Sequence, residues 1–213
     1  MADKIIVTVA GQVRGANLQA AFGFVADSAE CSWTWGLQPA QAVVTWTRPE
    51  AGAPLVLPLA ALTIEVGGHT FYGLCGEAVT VTSHDGRSLT QRFEDSRLLL
   101  QYDLIYGQFN FSDARIVNGR LVRRYRHLLP ADFNAHRYTF TDAPYTAREI
   151  LDICFAAQTV ESPWTCVYHS ALNVPVYDVD ADAGKKLGTL VLEVSEKCGA
   201  TFTLMGGRYR LVW

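Results

Sequence analysis

Three carboxylates lie within one stretch, FEDSRLLLQYDLIYGQFN (residues 93–110), and are the first residues whose type and spacing suggest chemistry. Glu94, Asp95 and Asp103 could supply the acid and base of glycoside hydrolysis, which needs two carboxyl groups about 5–10 Å apart across a cleft. Nothing in their spacing imposes that geometry. Glu94 and Asp95 are adjacent, so on a strand their side chains point to opposite faces. Asp95 also stands just before Ser96-Arg97-Leu98-Leu99-Leu100, where a short helix takes an N-cap, and capping is the reading the residues favour.

Other reactive types are scattered. Cys31 lies two residues before Trp33, but Ser32 intervenes and the flanking glycines of a papain-like site are absent; a thiol nucleophile would also need an adjacent base. The five cysteines (31, 75, 154, 166 and 198) form no C-x-x-C pair and no metal-ligand spacing with histidine, so they read as buried free thiols in a reducing compartment, with no metal and no cofactor. No phosphate loop, G-x-S-x-G elbow or H-E-x-x-H helix is found. His84, beside Asp85-Gly86, reads as a turn residue. Trp33, Trp35 and Trp46 could stack on sugars from alternating strand positions, although large aromatics more often fill cores.

The densest charge is basic. Arg115, Arg120, Arg123, Arg124 and Arg126, with His127, fall within 13 residues of one another. Such a cluster can meet phosphates, a neighbouring subunit's carboxylates, or only solvent. The chain as a whole carries a net charge of −3, which excludes a molecule held to nucleic acid by bulk electrostatics and favours salt-bridged assembly. Charged residues make up only 18% of the chain, a deficit that suits extensive contact between subunits. The N-terminus has no signal-peptide pattern and no run reaches the roughly 20 apolar residues of a membrane helix, so the expectation is a soluble protein that is not exported by that route.

The elements that must position these residues are mostly strands. Ile5–Val9, Ala42–Thr47, Leu62–Val66, His69–Gly73, Val79–Thr82 and Leu89–Phe93 are short β-prone runs separated by Gly67-Gly68, Asp85-Gly86 and the loop 48–54. They suggest a small barrel or sandwich. Ile116-Val117 and Leu121-Val122 flank Asn118-Gly119, the preferred two-residue hairpin turn, and alternation places Arg124 and Arg126 on one face. Further on the period changes. Thr146-Ala147-Arg148-Glu149 is a capping box opening a helix with Ile150, Leu151, Cys154 and Ala157 on one face. A second helix runs from about Leu187 to Cys198 with Gly199 at its left-handed end, followed by a hairpin over 201–205, Gly206-Gly207 and 208–212. The class is therefore α+β with β dominant: a small barrel over residues 1–110, completed by strands from 111–130, and an α+β subdomain of two helices and a hairpin over 131–213.

The order of these parts resembles a known family. Thr70-Phe71-Tyr72-Gly73, the Asp85-Gly86 turn, Phe93-Glu94-Asp95-Ser96-Arg97, Asp103-Leu104-Ile105-Tyr106-Gly107-Gln108-Phe109-Asn110, Leu128-Leu129-Pro130, the capped helix at 146–151 and Glu193–Ala200 follow one another as in the N-terminal half of the hub proteins at the tail tip or baseplate of tailed bacteriophages. The resemblance covers most of the chain in layout and short phrases. It departs in length, since hub proteins usually carry two barrels and continue further. It implies a structural protein of the virion tail, made in the bacterial cytoplasm. It would form a cyclic ring of three or six copies, with tube, distal-tail and fibre or spike proteins as neighbours and DNA only as passing cargo. On that reading Asp95 caps a short helix and Leu98–Leu100 anchor it. Asp103, Tyr106, Phe109 and Phe111 belong to a contact collar, and Arg120, Arg123, Arg124 and Arg126 meet a partner's acids. The alternative is a carbohydrate-binding or glycan-cleaving module built on the five tryptophans and the acids Glu94, Asp95 and Asp103.

Overall fold

The computed structural model describes residues 5–9, 25–47, 61–75, 80–81, 88–159, 166–205 and 208–212. The loop 48–54, the turns Asp85-Gly86 and Gly206-Gly207, and His84 lie outside the described residues. The chain divides into two compact units between Leu98 and Leu99.

The first unit is a meandering antiparallel sheet. Its strands are β1 (Ile6–Val9), β2 (Val25–Ser32), β3 (Gln41–Thr47), β4 (Ala61–Val66), β5 (His69–Cys75), β6 (Thr80–Val81) and β7 (Ser88–Glu94). Their order is β1-β4-β5-β7-β3-β2, with β6 also on β7, and every pairing is antiparallel. Among the described residues no ladder joins β1 to β2, so the expected barrel is seen as an open sheet. Strand alternation decides what is inside. Ala42, Val44 and Trp46 of β3 are buried and pack with Val7, Leu62, Ile64, Phe71 and Phe93. Trp46 is fully buried there, so of the three candidate sugar platforms it is a core residue.

A 3-10 helix, Ser96–Gln101, carries the chain from the first unit into the second. The second unit contains β8 (Leu104–Val117), β9 (Arg120–Leu128), β10 (Tyr138–Thr141), β11 (Cys166–Tyr168), β12 (Val179–Lys186), β13 (Thr201–Met205), β14 (Arg208–Val212) and the helices α1 (Ala147–Ala156) and α2 (Leu187–Lys197). A four-stranded antiparallel sheet runs β10-β9-β8-β12, and a smaller sheet runs β11-β14-β13. Strands β8 and β9 pair with β10 and β12 in the second unit. The boundary therefore precedes residue 99 rather than following 110, and among the described residues the strands within 111–130 pair in the second unit's sheet rather than the first.

Both helices form as their sequences require. Thr146 accepts from the Glu149 amide at 3.2 Å while Glu149 accepts from the Thr146 amide at 2.8 Å, closing the capping box. Those bonds hold the Glu149 carboxyl below its ordinary pKa. Ala147, Ile150, Leu151 and Cys154 are buried on α1, and Leu187, Leu190, Val191 and Val194 on α2. Gly199 adopts φ 70°, and the Ala200 amide bonds back to the Ser195 carbonyl at 2.8 Å, ending α2 as a left-handed C-terminal glycine does. None of the described helices is long and apolar enough to cross a membrane.

Candidate functional site

The two acids with the best claim to chemistry are structural anchors. Asp95 and Arg97 are both buried and form a salt bridge at 2.6 Å. Asp95 Oδ1 accepts from the Arg97 amide at 3.0 Å, the expected cap, and Oδ2 accepts from the Ala40 amide at 2.9 Å. The guanidinium also donates to the carbonyls of Thr34 at 3.0 Å and Gly36 at 2.6 Å, and to Thr34 Oγ1 at 3.1 Å. This network fixes the turn after β2, on which Trp33 and Trp35 stand 56% and 71% exposed. A buried ion pair of this kind is stable only because its remaining donors and acceptors are satisfied. Arg97 was not singled out by sequence; the i, i+2 spacing of an Asp and an Arg around a cap was the available signal.

Asp103 is buried in the second unit. Its side chain accepts from the Thr159 amide at 3.2 Å and from the Thr159 hydroxyl, while its carbonyl receives the Leu187 amide at 2.9 Å, the first N–H of α2. It anchors a helix end rather than an outer collar. The thiols are equally unsuited to attack: burial raises the Cys31 and Cys198 pKa and pushes Cys154 up to about 12, opposite to the lowering a thiolate nucleophile requires. Cys31, Cys154 and Cys198 are free, and among the described residues no three His, Cys, Asp or Glu side chains converge.

The feature that stands out is the β8–β9 hairpin. β12 covers β8 only as far as Phe109, and β10 covers β9 only from Tyr125 onward. Residues 112–124 therefore project as a two-stranded ribbon with both edges free among the described residues. Its turn has Asn118 at φ 52° and Gly119 at φ 74°, as an Asn-Gly hairpin turn demands.

The base of this hairpin is a buried polar joint. The register slips by one residue between Gln108 and Phe111, a β-bulge at Phe109-Asn110. Asn110 takes φ 58°, a conformation Asn tolerates better than most residues. Its amide nitrogen donates to the carbonyls of Tyr145 at 2.7 Å and Val176 at 2.5 Å, and its oxygen accepts from the Tyr145 amide at 2.8 Å. The Asn110 backbone N–H donates to His127 Nδ1 at 3.1 Å, and His127 Nε2 lies 2.8 Å from Thr141 Oγ1. Thr141 in turn donates to the Ala143 carbonyl, so Nε2 carries the hydrogen and Nδ1 is a bare acceptor. Burial pushes the His127 pKa down to about 4, which keeps the ring neutral and removes it from the basic cluster. Gly107 completes the base: at φ 155° an added Cβ would lie 2.6 Å from the Leu128 carbonyl oxygen.

The collar residues divide accordingly. Phe109 is fully buried and belongs to the interior of the second unit. Tyr106 is partly exposed and stacks on Phe133 with ring centres 4.8 Å apart. Phe111, Arg124 and Arg126 share one face of the ribbon base, as the register Phe111↔Arg126 and Asp113↔Arg124 shows. There Arg126 sits 4.9 Å over the Tyr138 ring and 5.8 Å from the Phe111 ring, and Arg115 and Arg124 lie 5.1 and 5.8 Å from Phe140. Arg115 pairs with Asp113 and Arg124 with Asp142. Arg120 and Arg123 are exposed near the tip and carry no ion pair among the described residues. Between them Ile116 is 76% and Leu121 70% exposed, directly opposite each other in the ladder.

No family model and no curated protein matches the sequence. The fold is shared with solved structures. The 43 kDa tail protein of prophage MuSo2 from Shewanella oneidensis superimposes with a TM-score of 0.59 at 14% identity, covering 99% of this chain and 53% of that one. A tail protein from Neisseria meningitidis MC58 gives a TM-score of 0.53 at 11% identity, covering 99% of this chain and 50% of that one. The chain spans about half the length of these tail proteins.

Proposed function

We propose that the chain is a structural protein of a bacteriophage or prophage tail, a ring-forming hub at the tail tip or baseplate that joins the tube to distal fibres or a spike and leaves a passage for DNA. The observation that carries this reading is the likeness to two tail proteins along 99% of the chain. In this role the first unit contributes its antiparallel sheet to the ring wall, and the second unit supplies the exposed ribbon for contacts. Its partners are further copies of itself, three or six in a ring, and the tube, distal-tail and fibre or spike proteins. No cofactor and no catalytic residue is called for, and DNA passes without being read. The test is to raise antibodies to the chain and image labelled particles: label at the distal end of the tail supports the reading, and particles that lack the chain contradict it.

A second reading, glycan binding, rests on the exposure of Trp33 and Trp35 beside a turn locked by Arg97. Glycan-array binding that disappears in a Trp33→Ala/Trp35→Ala variant would favour it. Turnover that disappears in Asp103→Asn would favour cleavage, which would require the buried Asp103 to be uncovered.

A further inference from the structure

The two free edges of the ribbon are unlike each other. The free edge of β9 carries Arg120, Arg123 and Arg124 and no acid, and charge along an edge strand deters pairing. The free edge of β8 carries one acid and one base, Asp113 and Arg115, joined at 2.9 Å. This edge runs over residues 111–117, from the bulge that follows the last residue under β12, Phe109, to the turn at Asn118. Ala114 is its midpoint. Val117 and Arg120 close the two-residue turn, so that pair and every second pair behind it, Arg115↔Val122 and Asp113↔Arg124, exchange the ladder hydrogen bonds. Ser112, Ala114 and Ile116 therefore aim their N–H and C=O groups away from β9, and among the described residues no strand receives them.

We infer that this edge of β8 pairs with the same edge of a second copy, antiparallel and centred on Ala114, so that two ribbons join into one sheet, β9-β8-β8-β9, across a two-fold axis. The charges name the occupant and set the register. With Ala114 opposite its counterpart, Asp113 of each copy stands directly opposite Arg115 of the other, and direct cross-strand neighbours share a face. A centre at Asp113 or at Arg115 would instead set like charges against each other. The hydrogen bonds agree with the charges: Ala114 meets Ala114 and Ser112 meets Ile116, each through outward-facing groups. On the opposite face each Ile116, 76% exposed in the single chain, lies beside the partner's Ser112 and diagonal to its Ala114. The copies also fit in length. Antiparallel pairing points each tip toward the other's base, and pairing over 111–117 stops short of β12, whose ladder reaches only to Phe109. A two-stranded ribbon is marginal alone in water, and the added strands supply the packing it lacks. The contact is isologous, so it joins two chains, or two rings back to back, rather than building a ring. It goes beyond the hub reading and does not depend on it.

The test uses the full chain with Asp113→Arg and Arg115→Asp as separate variants, followed by sedimentation velocity alone and as an equimolar mixture, with circular dichroism verifying the fold. The wild type is expected in even-numbered species. Each variant alone is expected to lose pairing on the order of a hundredfold, because the first sets arginine against arginine and the second aspartate against aspartate. The mixture is expected to regain it as one-to-one pairs, since every cross-strand contact then joins opposite charges, an outcome misfolded variants could not give. Ala114→Pro removes an outward N–H while leaving the ladder to β9 whole, and proline is tolerated on an edge strand, so it should abolish pairing in every combination. Variants that pair like wild type, a mixture that does not recover, or a wild type found only as single chains or rings of three would overturn this contact. The tail reading is decided separately, by whether labelled particles carry the chain.

Discussion

At the base of the β8–β9 hairpin, Asn110 and His127 are sealed from solvent with every ring nitrogen and amide atom engaged; at its tip, Ile116 and Leu121 stand in water beside arginines that form no ion pair among the described residues. The same two strands thus hold a joint that makes the fold and an arm whose residues contribute little to it. The difference teaches what each end of the hairpin does for the molecule. Polar groups that are buried and satisfied specify the structure, whereas apolar groups left exposed on a projecting ribbon are free to serve a contact. Substitutions at the base should therefore change stability, and substitutions at the tip should change assembly.

The sharpest break of that comparison is Asn110→Ala. It strands the Tyr145 amide and the Tyr145 and Val176 carbonyls and places alanine at positive φ, so equilibrium urea unfolding should show a loss of about 3–5 kcal/mol. Gly107→Ala comes next, at about 2–4 kcal/mol in the same assay, because its Cβ meets the Leu128 carbonyl and the backbone must move. His127 contributes through pH. Its folded pKa of about 4 lies below the ordinary 6.5, so the unfolded chain takes up the proton first as pH falls. The stability it confers is complete above pH 6.5 and declines by up to about 3 kcal/mol by pH 4. Urea titrations between those limits should show this decline in the native chain and a flatter profile in His127→Gln. Thr146→Ala, which opens the capping box, should cost about 1 kcal/mol. At the tip, Arg120→Ala and Arg123→Ala should each stay within about 0.5 kcal/mol of wild type; a larger loss would mean that the arm is part of the folded core after all.

Local signals in the sequence located most elements. Asn118-Gly119 marked the ribbon turn, Thr146 and Glu149 opened α1, and Gly199 closed α2, because each depends on residues within one turn of chain. The alternation that put Arg124 and Arg126 on one face also survives in the register. What could not be read was long-range. Phe109 had the look of an aromatic anchor beside Tyr106, but the two stand three apart on a strand and face opposite sides, and Phe109 shares the buried side of β8 with Ile105; what covers that side comes from distant parts of the chain. The partners of Asn110 lie 35 and 66 residues away, and Arg97 reaches Thr34 and Gly36 across more than 60 positions. The unit boundary was misplaced for the same reason. Residues 99–110 were joined to the strands before them, whereas their hydrogen bonds run to β9 and β12.

Native mass spectrometry of the purified chain tests the central claim most directly. A ring-forming hub should give a discrete closed species of three or six 23.5 kDa protomers. A folded wild-type protein that remains a single protomer at every concentration would contradict it.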